Sequence, residues 1–83
     1  MKKFQYNGQS NVSGERIREQ RLRRRLSQSA LAAKMQTEGV IVEQDVISRI
    51  ESGTRLVTDY ELLAITKILE VSSDWLIGAE EKK

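Results

Sequence analysis

Apolar positions recur at helical spacing in successive stretches of the chain. Ile17 and the aliphatic stem of Arg21 share an inner face, which predicts a first, strongly basic helix from about Ser13 to Arg24. Glu15 lies in its opening turn, where a negative charge suits the helix dipole. Ser27 is a helix-capping residue type, and Leu31, Ala32 and Met35 follow at helical spacing, so a second helix runs from Gln28 to Met35. Residues 36–42 form a connection containing Gly39. Val46, Ile47 and Ile50 then mark the buried stripe of a third helix that stops at Gly53. Thr58, followed three residues later by Glu61, is a capping-box pattern ahead of Leu62, Leu63, Ile65, Ile68 and Leu69, the main core helix. Ser72 or Ser73 caps a short fifth helix carrying Trp75 and Leu76, closed by Gly78. The pattern predicts an all-α domain of five helices.

The chain has no Pro, and its five Gly fall where they punctuate helices. With 83 residues it holds one compact core at most. Residues 1–12 are expected as a flexible N-terminal arm, 13–78 as the domain and 79–83 as a charged tail. No apolar run approaches the ~20 residues that span a bilayer, and the residues after Lys2 and Lys3 are too polar for a secretory signal. A cytoplasmic protein is expected.

Candidate chemistry is narrow. The absence of Cys and His removes thiol nucleophiles, imidazole bases, disulfides and the usual zinc ligands. No Gly-rich phosphate loop with Lys is present, and the carboxylates fall in capping or solvated positions. No enzyme, cofactor, metal site or small-molecule substrate is expected. Charge is uneven: residues 1–40 carry nine Lys or Arg against three acids, and residues 41–83 carry five against nine. Such asymmetry fits a polyanionic partner, although a solvated basic helix gives the same tally. Six arginines wound around one helix cannot all face one partner, which leaves Arg24 and Arg25 as the better phosphate candidates. The outer stripe of the third helix is polar. Gln44, Asp45, Ser48, Arg49 and Ser52 share one side of the cylinder, either as an ordinary solvated face or as a binding surface. Glu43 reads as a cap. Trp75, Tyr60 and Leu76 read as core rather than as a stacking platform.

The order of elements and the segments ERIREQR (15–21), LSQSALAAKM (26–35), DVISRIESG (45–53) and VTDYELLAITKILEVSSDWLIG (57–78) resemble the lambda-repressor-like (Cro/repressor, XRE) helix-turn-helix family over about Ser13 to Gly78. The resemblance implies a compact five-helix DNA-binding domain whose second and third helices form the reading unit, with the third in the major groove. On that reading Arg49 meets guanine, Gln44 meets adenine, Asp45 accepts from cytosine N4 or serves as a helix-opening charge, and Ser48 meets base or phosphate. Gln28 matches a position where the family holds a phosphate with a side-chain amide and a backbone N–H, and Thr54 and Arg55 match backbone-contacting positions. Arg21 and Glu51 match a partly buried ion pair that belongs to the fold.

Two departures accompany the resemblance. The family joins its reading helices by a tight turn of three or four residues, whereas Gln36 to Val42 is about five residues longer, and its valines and Ile41 are candidates for core packing. Arg25 and Glu70 stand where the family favours Gly at helix ends, which predicts strain. The function implied is a sequence-specific double-stranded DNA-binding transcriptional regulator, a repressor and a homodimer. The alternative is a non-catalytic adaptor that turns the acidic third helix and lengthened connection towards a basic protein.

Overall fold

A computed structural model describes residues 5–81, so residues 1–4 of the expected arm and 82–83 of the expected tail lie outside it. Five helices follow in the predicted order: α1 (Gly14–Arg23), α2 (Gln28–Thr37), α3 (Gln44–Glu51), α4 (Asp59–Leu69) and α5 (Ser73–Leu76). Among the described residues there is no strand, and no helix is long and apolar enough to cross a membrane. The fold is the all-helical, five-helix one expected.

Local sequence explains most boundaries. Ser27 accepts from the Ala30 N–H and Ser72 from the Trp75 N–H, each satisfying a donor that the first helical turn leaves open. Thr58 and Glu61 bond reciprocally, completing the expected capping box. The exits of α2 and α3 share one geometry. In α2 the Gly39 N–H bonds to the Gln36 carbonyl and the Val40 N–H to the Met35 carbonyl, while in α3 Gly53 bonds to Ile50 and Thr54 to Arg49. Both glycines hold the left-handed conformation this closure needs, at φ +85° and +79°. Arg25 closes α1 in the same way at φ +57°, and Glu70 ends α4 at φ +56°, so the predicted strain is present at both.

The core joins Ile17 of α1, Leu31 and Met35 of α2, Ile47 and Ile50 of α3, Ile65 and Leu69 of α4, and Trp75 and Leu76 of α5. α4 packs on α1, α2 and α5, while α3 packs on α1 and α2. Trp75 is buried as expected, with the Arg16 guanidinium 4.8 Å from its ring centroid and bonded to its carbonyl. Tyr60 departs from the expectation. It is exposed, because the inner face of α4 is taken by Glu61, Ala64, Ile65 and Leu69 and Tyr60 falls outside that stripe.

The connection between α2 and α3 is shorter than expected. α2 continues through Gln36 and Thr37, leaving six residues, 38–43, between the helices. Val42 is buried, Val40 packs against the core and Ile41 points outward, while the Gln36 side chain donates to the Val42 carbonyl at 3.0 Å.

The stretch expected as an arm is fastened to the domain at its inner end. The Ser10 N–H bonds to the Gly53 carbonyl at 2.7 Å, and the Gln9 side chain lies where a Cβ on Gly53 would stand. Asn11 does more. Its Oδ1 accepts from the backbone of Ser13 and Gly14, and its Nδ2 donates to the carbonyls of Ile50 and Arg55 at 2.9 and 2.8 Å. One side chain thus caps α1, a task that the Ser13 side chain does not perform, and ties it to the end of α3.

Candidate nucleic-acid interface

α3 is anchored by its inner side. Ile47, Ile50 and Glu51 are buried, whereas Gln44, Asp45, Ser48, Arg49 and Ser52 are all exposed on the opposite flank. The lengthened connection does not cover that flank: Val40 and Val42 draw it inward, and it meets the start of α3 at a shallow hollow lined by residues that include Gln36, Val42 and Gln44. Glu43 stands at the N-cap position in an extended conformation, but its side chain makes no capping bond. Its place in the sequence was legible and its mode of action was not.

The anchor on the inner side is ionic. Arg21 and Glu51 pair through Nε to Oε2 at 2.6 Å and Nη2 to Oε1 at 3.0 Å, with side chains only 8% and 3% exposed. Arg21 also donates to the Leu26 carbonyl. The bond to Glu51 raises the guanidinium's pKa further, against burial, which acts in the opposite direction. α1, α3 and the entry to α2 meet at this pair.

Gln28 connects the pair to the exposed flank. Its Nε2 donates to Glu51 Oε1 at 3.1 Å, and its Oε1 accepts from Gln44 Nε2 at 2.6 Å. The two glutamines therefore act together. Gln28 is also the first residue of α2, so its backbone N–H lies in a helix terminus whose first donors have no intrahelical partner.

Further along α3, Asp45 and Arg49 face each other one turn apart at 3.5 Å, both mostly exposed. Ser48 lies one turn after Gln44 on the same flank. Past the helix end, the Thr54 hydroxyl is exposed, 3.1 Å from the Ser52 hydroxyl and bonded to the Arg49 carbonyl. Arg55 is more occupied than its sequence position implied. Nη1 reaches the Leu56 carbonyl and Glu61 Oε1, and Nη2 reaches Glu61 Oε2, so three of its five donors hold the α3–α4 connection.

Half of the arginines in and just after α1 are ion-paired within the fold. Arg21 is paired with Glu51, Arg23 with Glu19 at 3.5 Å and Arg24 with Glu70 at 2.9 Å, and Arg16 lies over Trp75. Arg18 and Arg25 are exposed. Sequence reasoning missed Asn11 and the Arg55–Glu61 pair. An Asn three residues ahead of Gly14, the first residue of α1, is the signal for the first.

A profile of the helix-turn-helix family matches residues 17–76, a span from the middle of α1 to the end of α5. The chain belongs to the XRE-type helix-turn-helix family. Among solved structures it is similar to the P22 c2 repressor protein, crystallised in complex with the synthetic operator 9T in the presence of Tl+. The identity is 30%, the TM-score 0.72, and the match covers 84% of this chain and 98% of that one. A search of curated proteins finds no match. Within this helix-turn-helix domain α2 and α3 are the paired helices, and Gln28 and Gln44 meet at their two N-terminal ends.

Proposed function

We propose that the chain is a sequence-specific, double-stranded DNA-binding transcriptional regulator that lays α3 in the major groove and represses by occupying its operator. One observation carries the reading: a polar flank on a helix pinned from behind by an ion pair and apolar residues, left open by the connection that precedes it. Its similarity to a repressor crystallised with an operator supports the same reading.

Each role follows from donor and acceptor pattern. Arg49 offers a planar fork to guanine O6 and N7, Gln44 an acceptor and a donor to adenine N6 and N7, and Asp45 an acceptor to cytosine N4. Ser48 meets base or phosphate. Gln28, through its backbone N–H and its amide, and Thr54, through its hydroxyl, meet phosphates on either side of the groove, and Arg55 adds the two donors that Glu61 and Leu56 leave. The protein acts as a homodimer, its two copies of α3 reaching half-sites about 34 Å apart.

A salt titration tests the reading. Affinity for duplex DNA is expected to fall linearly with salt on a log–log plot, with a slope of about −0.9 for each phosphate neutralised. Absence of binding to any duplex at low salt would overturn it in favour of a protein-binding adaptor.

A further inference from the structure

We propose that Glu51 is a positioning residue for base recognition: acting through Gln28, it fixes which hydrogen-bonding pattern Gln44 offers and biases that residue to adenine over guanine. The inference rests on α3 being the reading helix.

The constraint on Gln44 runs outward from the core. A carboxylate only accepts hydrogen bonds. Glu51, held by Arg21 at 2.6 and 3.0 Å, presents Oε1 to Gln28 at 3.1 Å, so the Gln28 atom facing it is the nitrogen. The two ends of an amide are opposite in character. Gln28 therefore turns its oxygen to Gln44, and Gln44 answers with its own nitrogen at 2.6 Å. What remains on Gln44 is one oxygen and one N–H, the complement of adenine's N6 donor and N7 acceptor. With the polarity reversed, Gln44 would spend its oxygen on Gln28 and turn both hydrogens outward, towards a base with two acceptors such as guanine.

Burial makes the device directional. Arg21 and Glu51 are fixed among α1, α2 and α3, Gln28 is half-buried and Gln44 is exposed, so order is imposed from the anchored end on the free one. An isolated glutamine amide exchanges its ends by a simple rotation and offers both patterns. The relay removes that freedom before DNA arrives.

The test is a base-by-base affinity profile on a duplex selected from a random library by the unmodified protein. Gln44→Ala first identifies the base pair that Gln44 reads. Gln28→Met keeps the side chain's length and leaves the Arg21–Glu51 pair intact, while Glu51→Gln replaces the fixed acceptor with an amide that can present either end. Both variants are expected to bind duplex DNA and keep their preference at the Arg49 base pair, while the adenine-over-guanine preference at the Gln44 base pair falls about tenfold. Thermal unfolding accompanies each profile, and if Glu51→Gln does not fold, Gln28→Met decides alone. A Gln28→Met profile that retains the full adenine preference, or loses affinity equally at every position with that preference intact, would overturn the relay while leaving α3 as the reading helix. If the unmodified protein selects no duplex, the reading helix and the relay fall together, whereas an unchanged Gln44→Ala profile overturns the relay alone.

Discussion

Arg55 and Glu61 meet across the α3–α4 connection through two parallel bonds, Nη1 to Oε1 at 2.9 Å and Nη2 to Oε2 at 3.1 Å, with the carboxylate almost fully buried. The same carboxylate accepts from the Thr58 N–H to complete the cap of α4. One acid therefore starts the main core helix and holds the segment that leaves α3.

Burial on its own raises the pKa of Glu61, but the bonds from Arg55 and Thr58 outweigh it and hold the group below the usual carboxylate range. A folded-state pKa below the unfolded value of about 4.3 means that the stabilisation is complete above that pH and is lost as pH falls through the folded value. Glu61→Gln is expected to lower stability by about 1–3 kcal/mol at neutral pH. In urea melts the gap from the unmodified protein should close as pH drops below about 4. A gap that stays constant from neutral to strongly acidic pH would contradict this.

Gly14 stands against the end of α3, where an added Cβ would lie 2.3 Å from the Ile50 carbonyl oxygen. Helix propensity alone favours alanine at a helical position. Because the obstacle is backbone that Asn11 also holds, Gly14→Ala is instead expected to destabilise the fold by about 1–3 kcal/mol. A raised melting temperature would show that the α1–α3 contact yields easily.

Asp45 holds Arg49 at 3.5 Å, so in the proposed complex DNA competes with Asp45 for the guanidinium. Asp45→Ala releases the guanidinium and removes a negative charge from the flank proposed to meet DNA. Affinity for random duplex at low salt is expected to rise about two- to fivefold, with discrimination at the Asp45 base pair reduced. The loss of a favourable charge near a helix N-terminus lowers stability by about 0.3–1 kcal/mol. Fluorescence anisotropy with a scrambled duplex measures the first effect, and unchanged or weaker binding would contradict it.

What could be read in advance follows the range of the interactions. Ser27, Ser72 and the Thr58/Glu61 box act within one helical turn, and their residue types state their task. The stripe of Ile47 and Ile50 fixed the orientation of α3, leaving Gln44, Asp45, Ser48 and Arg49 outward as expected. Contacts between distant segments were less legible. Arg21 and Glu51, 30 positions apart, emerged only through family resemblance. Asn11 sits in a stretch without periodicity, yet bonds to carbonyls 39 and 44 positions away. Arg55 was read from its match to a backbone-contacting position, which does not distinguish a phosphate contact from a bond to Glu61 across a turn. The length of α2 was underestimated because Gln36 and Thr37 add no apolar residue to its stripe, although Gly39 marks the stop.

The central claim is that the outer flank of α3 reads DNA, and the most direct measurement is the affinity of Gln44→Ala and Arg49→Ala for the selected duplex, alongside circular dichroism. Each variant is expected to bind more weakly by about 1–3 kcal/mol, with helix content and melting temperature close to those of the unmodified protein. Affinity unchanged in both variants would contradict the account.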